Sequence, residues 1–417
     1  NFILKMNRKI FYLSFFVCLT TILPVNAYQI ASNHSYVKNS EFTTNYDIKI
    51  EGYGDFKGML NSYKNTETTN LKNSSTIFEN EVSINVNLDG ELDEITKYGI
   101  KFIQTFNNNF SKEKEYYSYL YGYYGRLELG NTISVAEHMR IGADTIALGS
   151  GGISGNFTKY ITLAGDGSSN SAYILSPGVL TSQNFGYYND SINRDFWDNS
   201  KYLTKVNFYS PEFYNFQIGA SIIPNVYLKP DNIGNIDSGT ISNKINLGTF
   251  IDYGLSYINT FDNLGVALSV VGEQNISNSI NKTDGESEDI TNKFKSLELG
   301  CNINYFGLTA AGSVGRTERN VEEDLNLSPI TQKKGKYLTY GVSYELDEFS
   351  FSVTFFNSEY KDYTKFKSYA FAIENKMSKN ISMYAEYINF TSTFEKNTKK
   401  EKEGYNIMLG FLLNFNW

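Results

Sequence analysis

Over Tyr405–Trp417 (YNIMLGFLLNFNW), the residues Tyr405, Ile407, Leu409, Phe411, Leu413, Phe415 and Trp417 fall on a single parity. Side chains that alternate this way over the ~9–11 residues a tilted strand needs to cross hydrocarbon give one face suited to lipid. Backbone N–H and C=O groups find no water in lipid, so crossing strands must pair with each other and close into a ring with no free edge. This constrains the chain more tightly than any bulk property does.

Bulk hydropathy points the other way. Mean hydropathy is −0.36, hydrophobic content 41%, and no apolar run after residue 27 is long enough for a membrane helix. Barrel strands spread their apolar residues over alternate positions, so a low average does not exclude a membrane protein. Aromatics make up 16% of the chain, with 33 Tyr and 30 Phe, and such rings suit a boundary that is dry on one side and wet on the other. The formal net charge of −8 and the lack of a clustered Lys/Arg footprint argue against a nucleic-acid partner.

The first residues read as an export signal. Met6 opens it, Arg8 and Lys9 charge it, Ile10 to Leu23 form its apolar core and Val25-Asn26-Ala27 its cleavage site. Residues 1–27 are thus expected to be upstream sequence plus a signal peptide (Met6–Ala27), 28–45 a mature N-terminal tail and 46–417 the barrel. Removing Lys5, Arg8 and Lys9 takes the net charge from −8 to −11. Only Cys301 then remains, so neither an internal disulfide nor a cysteine metal cluster is expected.

From residue 46 on, period-2 segments recur to the end, about sixteen of them, from 46–56 to 405–417. Leu338, Tyr340, Val342, Tyr344 and Leu346 face one way; Thr339, Gly341, Ser343 and Glu345 face the other. Connections after residue 199 alternate short and long. Short ones include Phe261-Asp262-Asn263, Tyr305-Phe306-Gly307 and Leu346-Asp347-Glu348; long ones, near 225–245, 275–292, 319–335, 361–365 and 393–404, are rich in turn-forming polar residues. Turns gathered on one rim and loops on the other is the asymmetry of an outer-membrane barrel. The inward positions carry mainly Gly, Ser, Thr and Asn, which points to a wet lumen. Residues 131–198 interrupt the pattern with a long, glycine-rich connection, a length usually reserved for function.

Several motifs then resemble one family. Tyr119–Thr132 (YLYGYYGRLELGNT) is similar to the strand-turn-strand that precedes the inward-folded third loop of general bacterial porins. Asn199–Phe213 (NSKYLTKVNFYSPEF) resembles the hairpin after that loop, and Ile48–Gly54 its first strand. The aromatic end, with Phe411, Phe415 and Trp417, looks like the assembly signal read by the barrel-assembly machinery.

The resemblance implies an all-β transmembrane antiparallel barrel of sixteen strands, its third loop (131–198) folded into the lumen. It implies a homotrimer in outer-membrane lipid and lipopolysaccharide that passes small hydrophilic solutes, with no cofactor and no enzymatic activity. Acidic loop groups would face a basic wall across the constriction. Glu137, Asp144 and Asp166 supply the loop acids, and Lys49, Lys101, Lys114, Arg126 and Lys205 the wall bases by alternation. Glu79 and Glu81 point inward where the family often has arginine, which dilutes the basic side and implies a mild cation preference. The interface would lie on the strands within 46–130, and Cys301 would face lipid beside Leu299 and Ile303.

Two other classes are weighed. A barrel hydrolase would need a rim site, for which Glu137-His138 is the only hint; a loop histidine with no serine elbow or metal spacing accounts for it better. A surface adhesin or structural barrel would need bulky residues plugging the lumen.

Overall fold

The computed structural model describes residues 47–65, 72–107, 114–149, 175, 177–179, 203–224, 227–228, 245–246, 248–276, 280–281, 287–288, 293–320, 332–361, 364–394 and 400–416. The expected signal peptide and tail, Asp166, and Trp417 lie outside them.

Sixteen strands form one closed antiparallel barrel, each paired with its neighbour in sequence. They are β1 (Asp47–Asn65), β2 (Lys72–Glu91), β3 (Lys97–Asn107), β4 (Lys114–Gly122), β5 (Gly125–Asn131), β6 (Thr204–Tyr209), β7 (Phe216–Ile223) and β8 (Phe250–Phe261). The circuit continues through β9 (Leu264–Asn275), β10 (Lys293–Tyr305), β11 (Leu308–Asn320), β12 (Gln332–Leu346), β13 (Phe349–Tyr360), β14 (Thr364–Ser378), β15 (Ile381–Phe394) and β16 (Lys400–Asn416). β16 returns to β1 in a register running from Glu51↔Asn416 to Asn65↔Lys402, which removes the last edge.

Two-residue turns join the strands at one end. Phe261 pairs with Leu264, Tyr305 with Leu308 and Leu346 with Phe349. Asp262, Phe306 and Asp347 take positive φ there, as do Tyr214 and Asn215 in the β6–β7 turn. Such angles match the right-handed twist of the flanking strands. The longer connections all lie at the opposite end.

Alternation sorts the side chains as the sequence reading requires. On β12, Leu338, Tyr340, Val342, Tyr344 and Leu346 are exposed on the outer face, whereas Tyr337, Thr339 and Gly341 are buried inside. Cys301 shares the outward parity with Leu299 and Ile303, and pairs with outward Leu268. Outward rings form a row across neighbouring strands: Tyr340 on Phe355 at 4.9 Å, Phe355 on Tyr369 at 6.4 Å, Tyr369 on Tyr387 at 6.5 Å and Tyr387 on Tyr405 at 6.2 Å. An apolar belt bearing aromatic rings is the surface a barrel presents to lipid.

The structure corrects the sequence reading in three places. β1 and β2 run well beyond 46–56 and 77–88, because backbone pairing continues where the outward apolar pattern has stopped. Lys114 does not share the inward parity. It pairs with Gln104, on the face of Phe102 and Tyr116, so Glu115 takes the inward position. Lastly, the inward face of β12–β16 is not uniformly small and polar. Tyr337, Phe356, Tyr360, Phe366, Phe390 and Phe394 are buried there with Met59 of β1 and Met408 of β16.

Candidate functional site

The site is the inner wall together with the described part of the long connection after β5. Ser134 caps a short helix, α1 (Val135–Met139), its Oγ accepting from the Glu137 N–H at 3.4 Å. A 3₁₀ turn follows at Ala143–Thr145. A buried loop backbone needs partners for its N–H groups, and the barrel supplies them as a series of inward hydroxyls. Val135 N–H donates to Ser221 Oγ of β7 at 2.7 Å and Ile141 N–H to Ser269 Oγ of β9 at 3.0 Å. Ala143 N–H donates to Thr339 Oγ1 of β12 at 3.4 Å, and Leu148 N–H to Ser352 Oγ of β13 at 3.0 Å. The segment therefore runs across the inside of the wall from β7 to β13.

Inward glycines mark where it presses closest. A Cβ on Gly300 would come 1.7 Å from the Ile141 carbonyl oxygen, and one on Gly219 would come 2.4 Å from Val135 Cγ1 and 2.8 Å from Met139 Sδ. Val135, Ala136 and Met139 are buried against Tyr209 and Val271 of the wall. Much of the small-residue lumen is thus a dock for the loop as well as a lining for water. The Tyr337 hydroxyl accepts from Gly178 N–H at 3.0 Å, and Leu175 packs into the apolar cluster on β12–β16, so a later part of the connection is held on the same side.

Arg140, which the sequence reading did not single out, joins loop to wall. Its guanidinium contacts Asp144 at 2.5 and 3.0 Å and Glu298 of β10 at 3.2 and 3.4 Å, with Glu137 at 3.9 Å. The side chain of Arg140 is 8% exposed and that of Glu298 1%. Burial disfavours the charge, but the carboxylates of Asp144, Glu298 and Glu137 outweigh it and raise the arginine's proton affinity well above its ordinary value. The expected polarity is locally inverted: the loop contributes a cation and the wall an acid. Asp144 and Glu137, expected to face wall lysines, instead gather around the loop's own arginine.

The expected wall bases are scattered. Lys205 is 1% exposed, inside the barrel within electrostatic reach of Asp252 and Glu273, which oppose each other in register. Arg126 follows the Tyr123-Tyr124 turn, at the far end of β5 from where the loop leaves. It bonds Glu128 at 2.7 Å and lies over the Tyr119 ring at 4.5 Å. α1 reaches that level, since His138 packs edge-on against Tyr209, the register partner of Arg126. Lys49 is inward and pairs with Glu51 at 2.5 Å, while Lys101 is inward opposite Tyr117.

On β1 and β2, acids dominate. Glu51, Asp55, Glu79 and Glu81 face the same interior as Lys49 and Lys57; Lys57 lies 3.1 Å from Asp55 and 3.3 Å from Glu79, and Tyr384 OH donates to Asp55 at 2.9 Å. Lys57 and Arg140 escaped the sequence reading because neither interrupts a motif. Beside local acids, Asp55 and Asp144, each has a partner on another strand, Glu79 of β2 and Glu298 of β10.

Comparison with known proteins agrees with this architecture. An uncharacterized protein of Rickettsia bellii (strain RML369-C) is 24% identical over 411 residues, covering 87% of this chain and 91% of that protein. An anion-selective porin from Comamonas acidovorans has the same fold, with TM-score 0.55 at 13% identity over 89% of this chain and all of its own. So does Salmonella typhi OmpF, solved with daunomycin, with TM-score 0.51 at 11% identity over 89% of this chain and 97% of its own. Residues 31–393 match the Gram-negative porin family, and the chain belongs to that family.

Proposed function

We propose that the protein is an outer-membrane diffusion channel for small hydrophilic solutes and ions, exported by its N-terminal signal and assembled as a homotrimer through the outer faces of β1–β5. The observation that carries this reading is the loop segment bonded along the inside of a closed barrel beside clustered charges. A chain laid across the lumen narrows it, and fixed charges in a narrow wet passage orient dipolar solutes and disfavour apolar ones without binding them tightly. The channel needs no chemical step, and the barrel hydrolase and the plugged barrel are not favoured.

The charge balance supports a mild cation preference. Glu51, Asp55, Glu79 and Glu81 face the interior from β1 and β2 with Lys49 and Lys57 among them, while of the expected wall bases Lys49 and Arg126 are paired and Lys205 is buried. Glu137, Asp144 and Asp166 remain the loop acids of the proposed constriction. The terminal aromatics Phe411, Phe415 and Trp417 are read as the signal for the barrel-assembly machinery. Liposome swelling tests the reading: sugars should enter at rates that fall with size, and vesicles that remain impermeable to the smallest would refute it.

A further inference from the structure

At the turn end of the lumen the inner wall presents an aromatic face that diffusion alone does not use. Successive register partners set Glu91 of β2, Lys97 of β3, Tyr121 of β4, Arg126 of β5 and Tyr209 of β6 in one inward row, just inside the Tyr123-Tyr124 turn. The next inward row toward the loop end holds Asp89, Gly99, Tyr119 and Glu128. Two of the three tyrosines are covered. Tyr209 is 4% exposed and packs against His138. Tyr119 lies across Gly99, where a Cβ would come 2.7 Å from its Cζ; its hydroxyl donates to Asp89, and the Arg126 guanidinium sits over its ring at 4.5 Å. Tyr121 is 50% exposed. An ion pair stands on either side of it, Lys97 with Glu91 at 3.0 Å and Arg126 with Glu128 at 2.7 Å. The side chains of Lys97 and Glu91 are half exposed, and that of Arg126 is 36% exposed.

An open aromatic face between two ion pairs selects a solute by its chemistry. The face of a tyrosine ring carries negative quadrupole density and accepts polarised C–H groups. Each ion pair sets N–H donors beside a carboxylate acceptor, so a vicinal diol can accept at one and donate to the other through charge-assisted hydrogen bonds. Glu91 and Glu128 already match the two bases, and Asp89 accepts from Tyr119. An anion therefore meets no surplus of positive charge, and an organic cation would have to displace Lys97 or Arg126 from its acid. A pyranose ring has what remains: a face of C–H bonds, an edge of hydroxyls and no charge. We propose that Tyr121 is a stacking subsite for pyranose sugars at the turn-end mouth of the lumen, their hydroxyls bridging the Lys97–Glu91 and Arg126–Glu128 pairs. α1 reaches this level through His138 on Tyr209, so a sugar held here waits beside the loop-narrowed passage. The inference rests on the diffusion-channel reading for its role and adds a solute class where diffusion alone sorts by size.

The test is saturation-transfer NMR on the full-length protein in lauryldimethylamine oxide, a detergent without a sugar headgroup, with maltotriose as the probe. Irradiating the aromatic protons of the protein should transfer saturation to the C–H protons of the sugar. Y121F should keep the signal, and Y121A should bind about 10-fold more weakly, the effect of losing one stacked face. E91M/K97M should also weaken binding, because the hydroxyls lose one set of partners. Mannitol, which carries hydroxyls but no ring face, should show little transfer. Binding by Y121A equal to that of the parent, transfer to mannitol equal to that to maltotriose, or adenosine binding as tightly as maltotriose would overturn the proposal. Single-channel recording on the same samples separates the two readings. A parent that conducts but shows no transfer overturns the subsite and leaves the channel. A silent parent with Tyr121-dependent transfer refutes the channel and leaves the sugar site standing.

Discussion

Replacing Arg140 with glutamine should loosen the loop without opening the barrel. The substitution leaves Glu298, 1% exposed, with no ion-pair partner among the described residues, and removes the pairing of Asp144 as well. Breaking a buried ion pair by deleting one partner costs about 3–5 kcal/mol. Asp144 is 20% exposed and can recover some hydration, which favours the lower end. About 3 kcal/mol shifts the ratio of docked to detached loop by more than ~100-fold. The barrel's own backbone ladder is untouched, so melting in detergent should move little. Open-channel noise in planar bilayers should rise, and cleavage within 132–149 by added protease should accelerate. R140M/E298M should recover much of the loss, because no charge is then orphaned at the buried wall position and the part-exposed Asp144 can recover hydration. If R140Q is as quiet and as protease-resistant as its parent, the loop is not held by this cluster.

Other substitutions probe other contacts. Gly300→Ala sets a Cβ against the Ile141 carbonyl and should displace the loop, raising conductance or noise, whereas Gly265→Ala, whose nearest neighbour is Asn304 Cβ at 3.6 Å, should not. Neutralising Glu79 and Glu81 together should move the reversal potential in a salt gradient toward anions by several millivolts; no movement would remove these acids from the selectivity argument. Cys301, on the lipid-facing parity, should resist a membrane-impermeant maleimide in vesicles and react after denaturation. Rapid labelling in vesicles would place it on the wet side.

The fold was legible where one face of a strand is apolar and the other is not. β12 and β15 give their phase at a glance: Ile381, Met383 and Tyr387 lie outside, Ser382 and Glu386 inside. β4 does not, because its tyrosines occupy both parities; its phase is fixed by β3, where Lys101 meets Tyr117 and Phe102 meets Tyr116. That is why Lys114 was misread. The small inward residues were legible as small, but their purpose was not. Ser221, Ser269, Thr339 and Ser352 satisfy backbone donors that lie 86, 128, 196 and 204 residues away in sequence, and no local pattern records such a contact. Arg140 was hidden for the same reason. The aromatic cluster on β12–β16 was masked by its positions near strand ends, where the loop covers side chains that alternation alone would set facing water.

Single-channel recording of the purified protein in a planar bilayer tests the central claim most directly. A closed barrel with a hydrated lumen, partly crossed by a docked loop, should give stepwise, ohmic openings with a modest excess of cation over anion permeability. Insertion without any conductance steps, in preparations that show the folded barrel by heat-modifiable mobility, would contradict it.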